Sequence, residues 1–236
     1  ASASSATSAY IICFATDKTY YKPKQSNLSI LKFKKISNTY GLFVENSLKY
    51  IRKEKEGGKK MNIWHDIAPE RIKKDDFVAV IEISKGGRNK YELDKPTGML
   101  RLDRVLYTST HYPANYGFIP RTYAGDNDPL DVLVLCEEKI VSLALVEVYP
   151  IGVLKMIDGN EQDEKIIAVS KQDPFLNVYK DISEVPPHIS AEIKHFFEVY
   201  KQLEGKQTAV EEICGREEAE RIIEESIKNY NEKFVK

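Results

Sequence analysis

Three aspartates, Asp126, Asp128 and Asp131, stand close together in the run Gly125-Asp-Asn-Asp-Pro-Leu-Asp131. Carboxylates crowded this closely repel one another, and hard divalent cations bound by oxygen ligands are the usual way to offset that repulsion. Taken alone, the run reads as an exposed acidic turn, because Asp, Asn, Gly and Pro are turn residues in their own right. It also lacks the regular spacing of a calcium-binding helix–loop–helix site. A second acidic pair, Asp158 and Asp163, frames a turn at Asp158-Gly159 and is followed by Lys165; by itself it is a solvated turn. The basic and phenolic residues around these acids shift the balance: Lys90, Arg104, Tyr112 and Tyr116 upstream, Tyr200 and Lys201 downstream. Acids gathered with bases suggest a metal that bridges carboxylates to an anion.

The elements that must position these groups begin after Met61, where composition changes sharply. Phe77–Ile83 is a run of β-branched residues bounded by Lys85-Gly-Gly-Arg88, which predicts a strand and a turn. In Lys90–Asp94 the alternation puts Lys90, Glu92 and Asp94 on one face and Tyr91 and Leu93 on the other. Met99–Val105 and Asp131–Leu135 are further strands, separated by a long Tyr- and Gly-rich connection of the kind that is often functional. Leu145–Met156 and Lys165–Val169 form a hairpin around Asp158-Gly159. Arg104 shares parity with Leu100 and Leu102, so a regular strand would point it with apolar residues, at a barrel mouth.

Helical periodicity comes late. Ile189, Ile193, Phe196, Phe197, Tyr200 and Leu203 follow a candidate Ser190 cap, and Ala219, Ile222, Ile223, Ile227 and Tyr230 repeat the pattern behind Glu217 and Glu218. Strands followed by helices predict an α+β fold, most simply a small antiparallel barrel with the helices packed outside.

Composition narrows the function classes. Thirty-five Lys and Arg against 36 Asp and Glu give a net charge of -1, so no bulk field draws the chain to nucleic acid or an anionic membrane. The three cysteines, Cys13, Cys136 and Cys214, are odd in number and far apart, which fits a reducing compartment. The histidines at 65, 111, 188 and 195 are scattered, which argues against a zinc enzyme. The longest apolar stretch, Val141–Met156, is interrupted by Glu147 and Pro150, and this excludes it as a spanning helix of about 20 residues. Residues 1–60 begin uncharged and Ser/Ala-rich and then turn Lys- and Tyr-rich. They are expected to be an N-terminal extension, read either as a partly processed organelle-targeting leader or as upstream sequence before a domain starting at Met61; the second reading is favoured.

Longer words carry a resemblance: Val80-Ile-Glu-Ile83, Asn89-Lys-Tyr-Glu-Leu-Asp94, Leu102-Asp-Arg-Val-Leu106, Tyr112-Pro-Ala-Asn-Tyr-Gly117, the Asp126–Asp131 run, Pro150-Ile-Gly-Val-Leu-Lys-Met156 and His195-Phe-Phe-Glu-Val-Tyr-Lys201. In these words, from about Asn62 to Lys236, the chain resembles the soluble family I inorganic pyrophosphatases of the short prokaryotic and archaeal type. The resemblance implies a five-stranded OB-like barrel, Mg2+ as cofactor and a homo-oligomer, commonly a hexamer. It implies hydrolysis of pyrophosphate to two phosphates by in-line attack of metal-activated water, without a covalent intermediate. By position, Asp126, Asp131, Asp158 and Asp163 would be metal ligands, with Glu82 and Glu92 in support. Asp128 would accept the proton of the attacking water, and Lys90, Arg104, Tyr116, Lys165, Tyr200 and Lys201 would contact phosphate. Tyr112 would stand behind them.

The chemistry suits these residue types. A guanidinium fork matches phosphate oxygens, lysines act as movable point charges, and phenols donate hydrogen bonds without adding charge. Departures from the family pattern are Gly159, where many members have a second acid, and Ser142-Leu143, where Pro-Gly is usual. The stretch Glu211–Arg216 also lacks a tryptophan-containing word, leaving Trp64 the single Trp. Two rivals are a non-catalytic module holding calcium in the acidic turns and an oligonucleotide-binding barrel. The first leaves the bases and tyrosines unexplained, and the second is opposed by the aspartates and the near-neutral charge. The expected setting is a soluble protein of the cytoplasm, with organelle targeting by residues 1–60 as the alternative.

Overall fold

A computed structural model describes residues 61–159, 161–206 and 208–235. The expectations for residues 1–60 lie outside the described residues. The strands are β1 (Phe77–Ile83), β2 (Asn89–Asp94), β3 (Met99–Val105), β4 (Asn115–Phe118), β5 (Asp131–Leu135), β6 (Leu145–Asp158), β7 (Glu161–Gln162), β8 (Lys165–Ser170) and β9 (Thr208–Gly215), and the helices are α1 (Pro187–Val199) and α2 (Arg216–Phe234).

Five of these strands close on themselves. The hydrogen-bonded order is β1-β4-β5-β8-β6, and β6 returns to β1 through the register Phe77↔Val148 to Val80↔Leu145. Closure removes the free edges that an open sheet would expose. The expected OB-like barrel with helices outside is therefore present, but one neighbour pair corrects its antiparallel description: β5 and β8 run parallel, from Asp131↔Lys165 to Leu135↔Val169. That pair needs a crossover, and the long strand β6 supplies it. The second half of β6 extends beyond the ring and carries β9 as an added antiparallel strand.

Two further expectations are corrected. The hairpin β2–β3 forms its own two-stranded sheet outside the ring. Its place is taken by β4, a four-residue strand inside what reads as a long loop. Its backbone lies so close to β1 that a Cβ on Gly117 would meet the Val80 carbonyl oxygen at 1.8 Å, so only glycine fits there. Helix α1 begins at Pro187, not behind Ser190, because proline at the first helical position is preset for the turn and loses no hydrogen bond.

Period-two alternation sorts most buried strand residues into two cores, with Val80, Leu93 and Phe118 in a third, smaller cluster around Trp64 and Tyr230. Leu133, Leu135, Ile167 and Val169 pack with Phe196 and Phe197 of α1, whereas Val132, Val134, Ile166 and Ala168 pack with Ala219, Ile222 and Ile223 of α2. Strands covered on both faces read as unbroken apolar runs, which explains Val132–Leu135 and Ile166–Val169. Each fully buried Leu, Ile or Phe contributes roughly 1.5–3 kcal/mol relative to exposure.

The departure at Ser142-Leu143 has a backbone consequence. Leu143 takes a φ of 67° in a turn where its N–H donates to the Ile81 carbonyl at 2.7 Å. A left-handed conformation at a branched residue costs about 1–2 kcal/mol. No helix of the described residues is long and apolar enough to cross a membrane.

Candidate active site

The parallel pairing of β5 with β8 sets the first two groups. Asp131 and Lys165 are register partners at the starts of their strands, and Lys165 Nζ contacts both Asp131 and Asp163. Asp158 ends β6 at the same mouth and is met by Lys201 Nζ, just beyond the end of α1. The helix itself stops at Val199, so Tyr200 is its C-cap and Lys201 starts the 3₁₀ turn Gln202–Glu204. Both were expected on the helix. Tyr116, from β4, donates its hydroxyl to Asp131.

The acidic run folds as a compact turn. The Ala124 N–H donates to the Asp128 carbonyl at 2.8 Å, the Asp128 N–H donates to Asp126 Oδ1 at 3.0 Å, and Asn127 adopts a φ of 69°. Thr122 anchors the segment by accepting from the Leu130 N–H at 2.9 Å and donating to the Ile119 carbonyl at 2.6 Å. Lys95 Nζ contacts Asp128 while lying 5.4 Å above the Trp64 ring.

From the other side comes the β2–β3 hairpin. Lys90 contacts Glu92 along β2, and Glu82 of β1 accepts from the Leu93 N–H at 2.6 Å. A bulge resolves the parity of Arg104. The register jumps from Lys90↔Arg104 to Tyr91↔Leu102, leaving Asp103 unpaired, so Arg104 is turned away from the side of Leu102 and onto that of Lys90.

These groups converge on one cavity of about 430 Å³. All the residues singled out from the sequence line it except Arg104 and Tyr112. Arg104 points its Nε to Glu204 Oε1 at 2.8 Å, and Tyr112 is buried with its ring 5.1 Å from that of Tyr116. The lining also includes Asp94, on the face predicted for it with Lys90 and Glu92, and Lys95, Pro96 and Arg101, which sequence reasoning passed over. Lys95 immediately follows the word Asn89–Asp94, and that adjacency to a charged strand end was the available signal.

The field inside is strongly negative. Burial, with Asp131 nearby, pushes Glu82 up to about 8. Burial, with Asp131 and Asp163 adding to it, pushes Asp126 up to about 6. Asp163 is raised by burial and by the carboxylates of Asp131 and Asp158, against the pull of Lys165. Burial opposes a charge on Lys165, yet Asp131 and Asp163 outweigh it and lift its pKa well above the usual lysine value. Burial also raises Tyr116 and Tyr200, keeping both as neutral hydroxyl donors.

Among the described residues no three Asp, Glu, His or Cys side chains form a ready-made metal cluster. Lysine ammonium groups sit among the carboxylates instead, at Asp131, Asp163, Asp158 and Asp128. The donor set nonetheless fits a hard divalent cation. It is all oxygen, it lies at a barrel mouth, and it brings Asp126, Asp131, Asp158 and Asp163 to one cavity, where a cation would relieve the repulsion between carboxylates.

Comparison with known proteins bears on the same region. Residues 79–231 match the family described as inorganic pyrophosphatase. The chain is 47% identical to soluble inorganic pyrophosphatase 2 of Chlamydomonas reinhardtii over 172 residues, covering 73% of this chain and 90% of that protein. It is 48% identical to soluble inorganic pyrophosphatase PPA1 of Solanum tuberosum over 169 residues, covering 72% of this chain and 80% of that one. Among solved structures, the inorganic pyrophosphatase of Helicobacter pylori aligns with a TM-score of 0.66 at 44% identity, over 68% of this chain and 96% of that chain. The enzyme of Thermus thermophilus aligns with a TM-score of 0.67 at 39% identity, over 72% and 99%. With the barrel, the acidic run and the ring of bases in place, the chain belongs to the inorganic pyrophosphatase family.

Proposed function

We propose that this chain hydrolyses inorganic pyrophosphate to two phosphates with Mg2+, by direct in-line attack of water and without a covalent intermediate. The observation that carries the reading is the convergence of six aspartates, four lysines and three tyrosines on a single cavity, in a chain that shares its family with pyrophosphatases.

Asp126, Asp131, Asp158 and Asp163 would hold Mg2+, all as hard oxygen donors. When bound, Mg2+ neutralises phosphate oxygens and acidifies the attacking water. The chain's own groups do the rest. Lys90, Lys165 and Lys201 release their carboxylates to grip the phosphates as leaving-group charge develops. Tyr116 and Tyr200 donate hydrogen bonds at no cost in charge. Asp128, exposed to solvent at the edge of its turn and in contact with Lys95, takes the proton from water. Glu82 and Glu92 hold the hairpin against β1 and orient Lys90, and Tyr112 backs Tyr116. A homo-oligomer, a hexamer by resemblance, in a reducing cytoplasm-like compartment completes the reading; the free Cys136 and Cys214 are consistent with it.

A colorimetric phosphate assay with pyrophosphate, ATP and polyphosphate, each with and without Mg2+, tests it. Phosphate released from pyrophosphate only when Mg2+ is present is the expected result. Tight Mg2+ binding with no release from any substrate would favour a non-catalytic module.

A further inference from the structure

Arg104 is held by two carboxylates from different parts of the chain. Its Nε donates to Glu204 Oε1 at 2.8 Å, one hundred residues away, and its Nη1 contacts Asp103. The Glu204 side chain is only 7% exposed and that of Arg104 20%, so this is an enclosed pair rather than a solvated surface contact. A carboxylate removed from water to this degree persists only when it is paired and hydrogen-bonded. Nη2 donates to nothing among the described residues.

The placement of both partners is specific. Asp103 is the residue bulged out of β3, so one irregularity turns Arg104 onto the face of Lys90 and supplies the carboxylate at Nη1. Glu204 closes the 3₁₀ turn that starts at Lys201, where its N–H donates to the Lys201 carbonyl at 2.9 Å. The next residue, Gly205, has a φ of 69° and ends the turn. The pair therefore ties the hairpin bearing Lys90 and Glu92 to the segment bearing Tyr200 and Lys201, both of which line the cavity.

We infer that Glu204 is a positioning residue for substrate, acting through Arg104: it fixes the guanidinium on the hairpin face it shares with the cavity-lining Lys90, with its Nη2 N–H groups left to meet a phosphate, and it clasps the hairpin to the Tyr200–Lys201 turn. This rests on the pyrophosphate-hydrolysing reading. A guanidinium already held at Nε and Nη1 loses less rotamer freedom when phosphate arrives, which favours binding more than the chemical step.

The test compares wild type, Glu204→Ala, Glu204→Gln, Arg104→Ala and the double variant Arg104→Ala/Glu204→Ala, in Mg2+. KM and kcat are measured for pyrophosphate, and Kd is measured calorimetrically for imidodiphosphate. Glu204→Ala should raise KM and Kd on the order of tenfold with a smaller change in kcat. Glu204→Gln, whose amide oxygen still accepts from Nε, should stay within about twofold of wild type. In the Arg104→Ala background the same Glu204 change should shift KM by less than about twofold, because coupled residues are not additive. Glu204→Asp, one methylene shorter, is the milder variant should Glu204→Ala not fold, and it should raise KM severalfold. An unchanged or lowered KM in Glu204→Ala, or a tenfold rise that persists without Arg104, overturns the inference. Wild type that binds imidodiphosphate but releases no phosphate overturns the functional reading instead, and the Kd series still decides the role of Glu204.

Discussion

Glu82→Gln should turn a pH-dependent liability into a neutral contact. Glu82 sits in an otherwise apolar strand, nearly enclosed, and accepts from the Leu93 N–H at 2.6 Å. Burial first, and the charge of Asp131 second, raise its pKa from an ordinary 4.5 to about 8. The folded carboxyl thus holds its proton more tightly than the unfolded one, and folding takes up a proton between about pH 4.5 and about pH 8. Stability from this group is intact below that window and is lost as pH rises through it, by up to roughly 5 kcal/mol. Glutamine keeps the oxygen that accepts from Leu93 and has no proton to lose. Urea unfolding of both proteins in EDTA, from pH 5 to pH 8.5, should give curves that nearly meet at the acid end. They should separate toward pH 8.5 with the glutamine variant the more stable, by up to roughly 5 kcal/mol in extrapolated unfolding free energy. Parallel curves, or a glutamine variant less stable than wild type at pH 8.5, would refute the reasoning.

Four other outcomes are expected. Asp128→Asn should leave Mg2+ binding measurable by calorimetry while lowering kcat by about a hundredfold or more; near-native turnover at neutral pH would remove Asp128 as the proton acceptor. Gly117→Ala should lower stability by about 3 kcal/mol or more, since the new methyl meets backbone atoms of Val80 and Ile81 that cannot step aside; an unchanged melting curve would contradict the close approach of β4 to β1. Asp181 accepts from the Ser183 N–H at 3.0 Å and the Arg216 N–H at 2.8 Å, and these bonds, that from Arg216 foremost, depress its pKa. Asp181→Ala should therefore cost about 1–2 kcal/mol at neutral pH, a loss that shrinks as acid titrates the wild-type carboxylate; a gap that stays constant down to pH 2 would speak against it. Leu143→Gly should raise stability by about 0.5–1 kcal/mol by relieving the left-handed leucine, net of the entropy of a glycine, and a drop in Tm would show that the leucine side chain makes a compensating contact.

Much of the fold was legible because apolar strands announce themselves. Phe77–Ile83 was readable to the residue, and the two late helices were readable from their periodicity. Strand β4 escaped notice because four residues containing a glycine and following a Pro-Ala pair look like loop chemistry, and only its pairing with β1 and β5 makes it a strand. Strand β9 was hidden by the adjacent Glu211 and Glu212, which a strand at the margin of the sheet tolerates. Convergence of the acids and bases on one cavity was anticipated by residue type and order. The orientation of Arg104 was not, because a bulge at Asp103 resets which way the strand faces and nothing in the local alternation announces it. Lys95 was passed over for a related reason: it lies one position beyond a strand end, where alternation no longer says which way a side chain points.

The side-by-side starts of β5 and β8 bear on how the chain matures as it leaves the ribosome. Asp131 emerges well before its register partner Lys165, and the groups at Lys201 and Glu204 come later still. Until then the early carboxylates have no cationic neighbours from the later segments. The hydrolytic cavity can therefore assemble only near the end of synthesis, through contacts between distant stretches of chain that form more slowly than local ones. A nascent chain arrested before Lys201 would carry all five barrel strands but lack the contacts that Lys201 makes with Asp158 and Glu204 with Arg104.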